Sequence, residues 1–131
     1  MDENTLIAYA LSLPEVSEDY PFGPQAQVFK VAGKMFALIG HTEWKGQENV
    51  AQVNLKCDPQ EALMLRDVFE AVIPGYHMNK VHWNSVLLDG SIPAAEIERM
   101  VDKSYGLVVK GLKKAERRAM EIRWGEQRLY K

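Results

Sequence analysis

An α+β domain on a mostly antiparallel sheet is the architecture this sequence predicts, and three observations carry it. Residues 50–57 (VAQVNLKC) alternate strictly, with Ala51, Val53, Leu55 and Cys57 on one face and Gln52, Asn54 and Lys56 on the other. A sheet with one apolar and one polar face is typically antiparallel, with helices packed on one side. Two β-rich runs, 26–32 and 35–39, flank Gly33-Lys34 and read as a tight hairpin. Finally, 131 residues at 47% apolar content suit one globular domain with a core large enough to need no disulfide or metal staple.

The elements follow in order. Asn4 or Thr5 caps a first helix over about 5–12, with Leu6, Ile7, Ala10 and Leu11 on one stripe and Pro14 limiting it. Residues 15–24 are acidic and carry Pro21, Gly23 and Pro24, so they read as a loop. The hairpin follows, then a polar loop at 41–49 (HTEWKGQEN) and the strand at 50–57. Asp58-Pro59-Gln60-Glu61 opens a second helix, with Asp58 as cap, Pro59 in the first turn and Glu61 completing a capping-box variant. Ala62, Leu65, Arg66 and Phe69 continue it, and Val72-Ile73-Pro74-Gly75 ends the unit. Residues 83–88 (WNSVLL) read as a last strand, closed by Asp89-Gly90-Ser91. A long helix starts near Pro93 with Ile97, Met100, Val101, Ser104, Leu107 and Val108 on its inner face, and Gly111 breaks it. A terminal helix follows from about 113, with Ala115, Ala119 and Ile122 aligned. The expected order is therefore α-β-β-β-α-β-α-α.

Charge and motifs narrow the function. Net charge is −2, yet residues 110–131 carry eight Lys/Arg against three Glu. A basic end on an acidic body suits either a polyanion contact or a solvated helix. No run approaches the ~18–20 apolar residues of a membrane helix. The acidic N-terminus lacks the basic region of a signal peptide, and Cys57 stands alone, so a cytoplasmic monomer is expected. Phosphate-loop glycine motifs are absent, and so are Cys-x-x-Cys and His-Glu-x-x-His, so no cofactor and no metal are expected. Cys57 sits just before a helix N-terminus, which lowers a thiol pKa, while burial on the strand face would make it inert. An enzyme using Cys57, His77 or His82 is thus one alternative.

The donor-rich segment is the other. Residues 71–88 contain no Asp or Glu, and within them stand His77, Asn79, Lys80, His82, Trp83 and Asn84. Lys and protonated His suit phosphates, Asn suits base edges, and Tyr76 or Trp83 suits base stacking. Lys30, Lys34, Asn54 and Lys56 extend this set if their strands are adjacent. The same His, Asn and Trp side chains would equally serve a pocket for a small molecule or a protein segment.

At Pro21-Phe22-Gly23, KVAGKMF (30–36), VNLKCDP (53–59), IPGYHMNKVHWNSVLL (73–88) and Asp89-Gly90-Ser91, the chain resembles the MmcQ/YjbR family. The resemblance spans about residues 4–118 and leaves 119–131 as a basic helical extension beyond the domain at 1–118. It implies a frataxin/CyaY-like α+β fold and DNA binding through a double-wing arrangement of strands. Its motif positions are Lys30, Lys34, Asn54, Lys56, His77, Asn79, Lys80, His82 and Trp83. The dense acidic ridge of an iron-binding frataxin is missing, since the first helix carries only Asp2 and Glu3 at its start.

Overall fold

The computed structural model describes all 131 residues. Helix α1 (Glu3–Ser12) starts earlier than its apolar stripe suggests, because Asp2 caps it by accepting the Thr5 N–H at 2.8 Å. Strand β1 (Val16–Asp19) follows, then β2 (Gln27–Val31), β3 (Lys34–Trp44) and β4 (Gln47–Lys56). Helix α2 (Pro59–Val68) leads to β5 (Val72–Pro74) and β6 (Trp83–Leu87). Helices α3 (Ala94–Lys110), α4 (Lys114–Trp124) and α5 (Glu126–Leu129) complete the chain. The six strands form one antiparallel sheet in the order β1-β2-β3-β4-β6-β5.

The α+β class holds, with corrections of detail. The segment 15–24 is not all loop, since β1 pairs with β2, and Val72–Pro74 adds an edge strand beside β6. The polar residues 41–49 are not a loop either. They are the outer arms of the β3–β4 hairpin, which turns at Lys45-Gly46. The first hairpin turns at Ala32-Gly33, one residue earlier than expected, so that Lys34 opens β3. Both turns hold two successive positive φ angles, 50° and 76° in the first and 51° and 79° in the second. That is the type I′ geometry that matches strand twist. Glycine meets it freely at the second position, whereas alanine pays a steric cost at the first. Ala32→Asn is expected to stabilise the fold by about 0.5–1 kcal/mol, read as a raised urea midpoint with unchanged slope.

All helices cover one face of the sheet. A single cluster joins Phe29 and Val31 of β2, Phe36 and Ile39 of β3, and Val53 and Leu55 of β4 to Leu6, Leu65, Ile97 and Val101 of the helices. The Phe36 and Tyr105 rings meet edge to face, with centroids 5.4 Å apart. Ser104 was expected on the inner face of α3, and its hydroxyl has a defined task there. It donates to the Phe36 carbonyl at 2.6 Å and accepts the Lys56 N–H at 2.9 Å. Thus a helix side chain bridges two strands just past their last paired residues, Ala37 and Leu55. Asp58 caps α2 through the Gln60 and Glu61 N–H groups, but the reciprocal half of the box is missing, because Glu61 binds Arg99 at 2.6 Å instead.

The C-terminal helices dock on the body. Met120 and Leu129 belong to the same core cluster. The expected inner face of α4 is corrected: Ile122 and Ala115 are exposed, and Met120 points inward. Glu15 fastens this tail to the start of β1, accepting from Arg123 at 2.8 Å and from the Trp124 indole at 2.7 Å.

Candidate ligand-binding cleft

The opposite face of the sheet carries no helix. Its middle is lined by Met35, Leu38 and Gly40 of β3 and by Gln52 and Asn54 of β4, all on the face away from the core cluster. Two loops stand over that floor. Phe22, Gln25 and Ala26 rise on one side, and Tyr76, His77 and Met78 on the other. Together they enclose a cleft of about 460 Å³, with His41 and Asn49 at one end. Among these lining residues there is no Lys, Arg, Asp or Glu.

The loop 75–82 is built to hold Tyr76, His77 and Met78 in place. Its entry and exit pair through the Gly75 N–H and the Trp83 carbonyl at 2.9 Å. A Cβ at Gly75 would lie 2.9 Å from both the Trp83 Cβ and its carbonyl oxygen, so only glycine permits this approach. A three-membered ring of bonds ties Tyr76 to the sheet. The Tyr76 N–H donates to Ser85 Oγ at 2.9 Å, Ser85 donates to Asn54 Oδ1 at 2.5 Å, and Asn54 Nδ2 donates to the Tyr76 carbonyl at 3.3 Å. His77 then takes a positive φ of 57°, and its ring lies 4.1 Å from that of Tyr76, tilted by 51°. Histidine is among the residue types that tolerate this left-handed region, which Glu15, Ala32, Lys45 and Asn49 also adopt.

The remaining motif positions build this loop rather than line the cleft. Asn79 Oδ1 accepts the Val81 and His82 N–H groups at 2.9 and 3.3 Å. Lys80 Nζ donates to the Gly75 carbonyl at 3.1 Å, so its charge closes the loop. Arg66 of α2 donates to the carbonyls of Lys80 and Trp83 and to Asn84 Oδ1. Trp83 pairs with Lys56 at the end of β4–β6, and the His82 carbonyl accepts the Cys57 N–H at 2.8 Å. Elsewhere, Lys30 is paired with Asp19 at 3.0 Å, which holds the Asp19 carboxyl below its usual range, and Lys34 is exposed at the hairpin. Of the nine expected site residues, Asn54 and His77 line the cleft.

Gln52 was part of the polar strand face in the sequence but not among the nine. It is 5% exposed, lines the cleft, and its side-chain amide has no hydrogen-bond partner within the protein, whereas its neighbour Asn54 is fastened. Phe22, 69% exposed at the rim, was also missed, although Pro21-Phe22-Gly23 was among the motif segments. Cys57 takes no part. Burial, then the Glu61 and Asp58 carboxylates, push its thiol up to about 11, which opposes formation of the thiolate. No group of three His, Cys, Asp or Glu side chains gathers closely enough to hold a metal ion. No helix is long and apolar enough to cross a membrane.

Two sequence segments some fifty residues apart, Pro21-Phe22-Gly23 and Gly75-Tyr76-His77-Met78, therefore meet across one concave site. The sequence pattern of the YjbR family matches residues 11–107, a span that contains both. The chain belongs to the YjbR family. Among its YjbR-family relatives, the uncharacterized protein YbdF of Escherichia coli O157:H7 is 42% identical over 83% of this chain and 85% of its own length. The uncharacterized protein YjbR of Escherichia coli K12 is 33% identical over 92% of this chain and 98% of its own length. A crystal structure of a DUF419-domain protein from Deinococcus radiodurans superposes with a TM-score of 0.78 at 36% identity, covering 91% of this chain and 87% of that one.

Proposed function

We propose that this YjbR-family chain is a binding protein whose ligand is a small molecule seated in the open-face cleft. The observation that carries this reading is the convergence of two motif segments on one concave site of about 460 Å³. That volume falls within the ~300–1,000 Å³ of ordinary small-molecule sites. Aromatic and methionine side chains with a few fixed polar groups are the usual lining of such sites.

A DNA contact, the function implied by the family resemblance, would draw on Lys34, Lys56 and the basic face of α4. Two features favour the cleft over it. The charged heads of Lys30 and Lys80 are already engaged within the protein. The two hairpin turns also lie at opposite ends of β3, an 11-residue strand, so they sit ~36 Å apart at ~3.3 Å per residue and cannot enter the same groove together.

Amide correlation spectra recorded with indole, and separately with a mixed-sequence DNA duplex at about 50 and 200 mM salt, test the choice. Indole is expected to shift Leu38, Gln52 and His77 at either salt concentration. The duplex is expected to produce no saturable shift. Saturable duplex binding through Lys34, Lys56 and α4, weakening about ten-fold between the two salt concentrations, would overturn the proposal in favour of DNA.

A further inference from the structure

The cleft carries information about the chemistry of its occupant, resting on the reading that it is a ligand site. Its lining includes no Lys, Arg, Asp or Glu, and the one ion pair that a lining side chain makes is at one end, between His41 and Glu3. A phosphate or carboxylate over the floor would find no Lys or Arg, and for a cationic group the carboxylate at hand, Glu3 at the cleft end, is already engaged by His41 at 2.8 Å. Either would lose its hydration without a partner, a cost that binding sites for ions avoid. The ligand part that enters the cleft is therefore neutral.

Its shape and polarity are narrowed by two further observations. The walls bring flat or soft apolar groups from both sides, with Phe22 facing the Tyr76–His77 pair and Met35 and Leu38 beneath. Such a slot favours a planar ring, which gains from stacking and from contact with polarizable sulfur. At the floor stands Gln52, 95% buried by its 5% exposure, with an amide that nothing in the protein satisfies. Gly40 is its cross-strand partner on β3 and adds no side chain to the floor beside it. A primary amide offers one acceptor, Oε1, and a donor beside it, Nε2–H, in one plane. Its full complement is a ring edge with a donor and an acceptor side by side. Neither amide atom is sealed from solvent, so in the empty cleft water serves both, and a ligand that displaces this water must supply a donor and an acceptor in its place.

We infer that the cleft binds an uncharged planar heterocycle with an adjacent N–H donor and acceptor, a cyclic-amide or nucleobase edge, read in bidentate fashion by Gln52. Asn54 takes no direct part, because its amide is occupied by Ser85 and the Tyr76 carbonyl. The Tyr76–His77 pair, its rings tilted by 51°, offers one ring for stacking and the other for an edge contact. Charged substituents, such as the phosphate of a nucleotide, remain outside the cleft mouth.

The test titrates the full chain with 2-pyridone, which presents the paired edge, and with 1-methyl-2-pyridone, which lacks the donor. Indole serves as an aromatic probe of similar size without the paired edge. Amide and side-chain NH₂ signals report the site. The expected result is saturable 2-pyridone binding that shifts the Gln52 side-chain NH₂ and is at least ten-fold tighter than that of the methylated ring. Gln52→Leu is expected to remove that preference, bringing the affinities of the two pyridones within two-fold of each other. Equal affinity for the two pyridones, with indole still shifting Leu38 and His77, would overturn the heterocycle inference and leave the cleft standing. No shift at Leu38, Gln52 or His77 with any of the three would overturn the cleft itself. The comparison between the two pyridones needs no mutant, so it decides the matter even if Gln52→Leu fails to fold.

Discussion

Leu129→Ala is expected to lower the unfolding free energy by about 2–5 kcal/mol, the range for emptying a buried leucine site. The residue lies in a four-residue helix at the far end of the chain, where fraying is the usual expectation. Yet its side chain is 1% exposed and belongs to the main core cluster. The backbone there is also held closely: a Cβ placed on Gly106 would come within 3.3 Å of the Leu129 carbonyl. Tyr130 adds a bond from its hydroxyl to Glu121 at 2.9 Å, and Lys110 sits 5.0 Å above the centre of its ring. The family pattern ends at residue 107, so this part of the core comes from sequence beyond it. Urea unfolding monitored by circular dichroism measures the effect, with Ile122→Ala as the control. Ile122 is 76% exposed, and its truncation is expected to change stability by less than ~0.5 kcal/mol. If the two variants are equally benign, the tail does not pack on the body in solution.

Ser104→Ala is expected to cost about 2–5 kcal/mol, although it removes a single atom. Two backbone groups lose their partner at once, the Phe36 carbonyl and the Lys56 N–H. A buried donor or acceptor left unpaired costs about 1–3 kcal/mol each. Ser104 itself is 0% exposed, so no solvent stands ready to take its place. Beyond the stability change, hydrogen exchange at the Lys56 amide is expected to accelerate more than at Val53, deeper in the same strand. Unchanged exchange at Lys56, with a loss below ~0.5 kcal/mol, would show that water enters and replaces the hydroxyl.

The parts of the fold legible in the sequence are those where the core imposes a pattern. Alternation at 50–57 is visible because Val53 and Leu55 face the helices, while Gln52 and Asn54 face away. Past Ile39 and before Val50, the same hairpin runs outward and loses its buried partners. Glu43, Lys45, Gln47 and Glu48 there are exposed, and polar exposed strand cannot be told from loop by composition. Strand β1 reads Val-Ser-Glu-Asp with three exposed positions, and β5 has three residues, too few to show a period. On α4, one buried methionine decides orientation, and three aligned small or apolar residues outvote it on a helical wheel.

The site is less legible for a different reason. Its donor-rich residues are conspicuous, but their partners lie in other segments. Nothing along the chain announces that Lys30 meets Asp19 or that Arg66 meets the Lys80 carbonyl. Asn79 is visible as polar, whereas its use in the turn follows from the loop's geometry. The cleft gathers side chains from residues 22–26, 35–41, 49–54 and 76–78, a set that exists only once the sheet has formed. Gln52 stands apart from Asn54 not by type but by what each touches.

The two outermost strands of the sheet bear on how the molecule behaves in crowded solution. A bare sheet margin is a template on which another chain can add a strand and begin a fibre. Here one margin, β1, is four residues long and carries Glu18, which no cation pairs, so a second copy brought alongside would meet its own negative charge. The other, β5, is three residues long and closes on Pro74, which has no N–H to offer. With six strands and a helix-free face, the domain could have been prone to stacking edge to edge. Its margins are too short, too acidic and too poor in donors to start that growth.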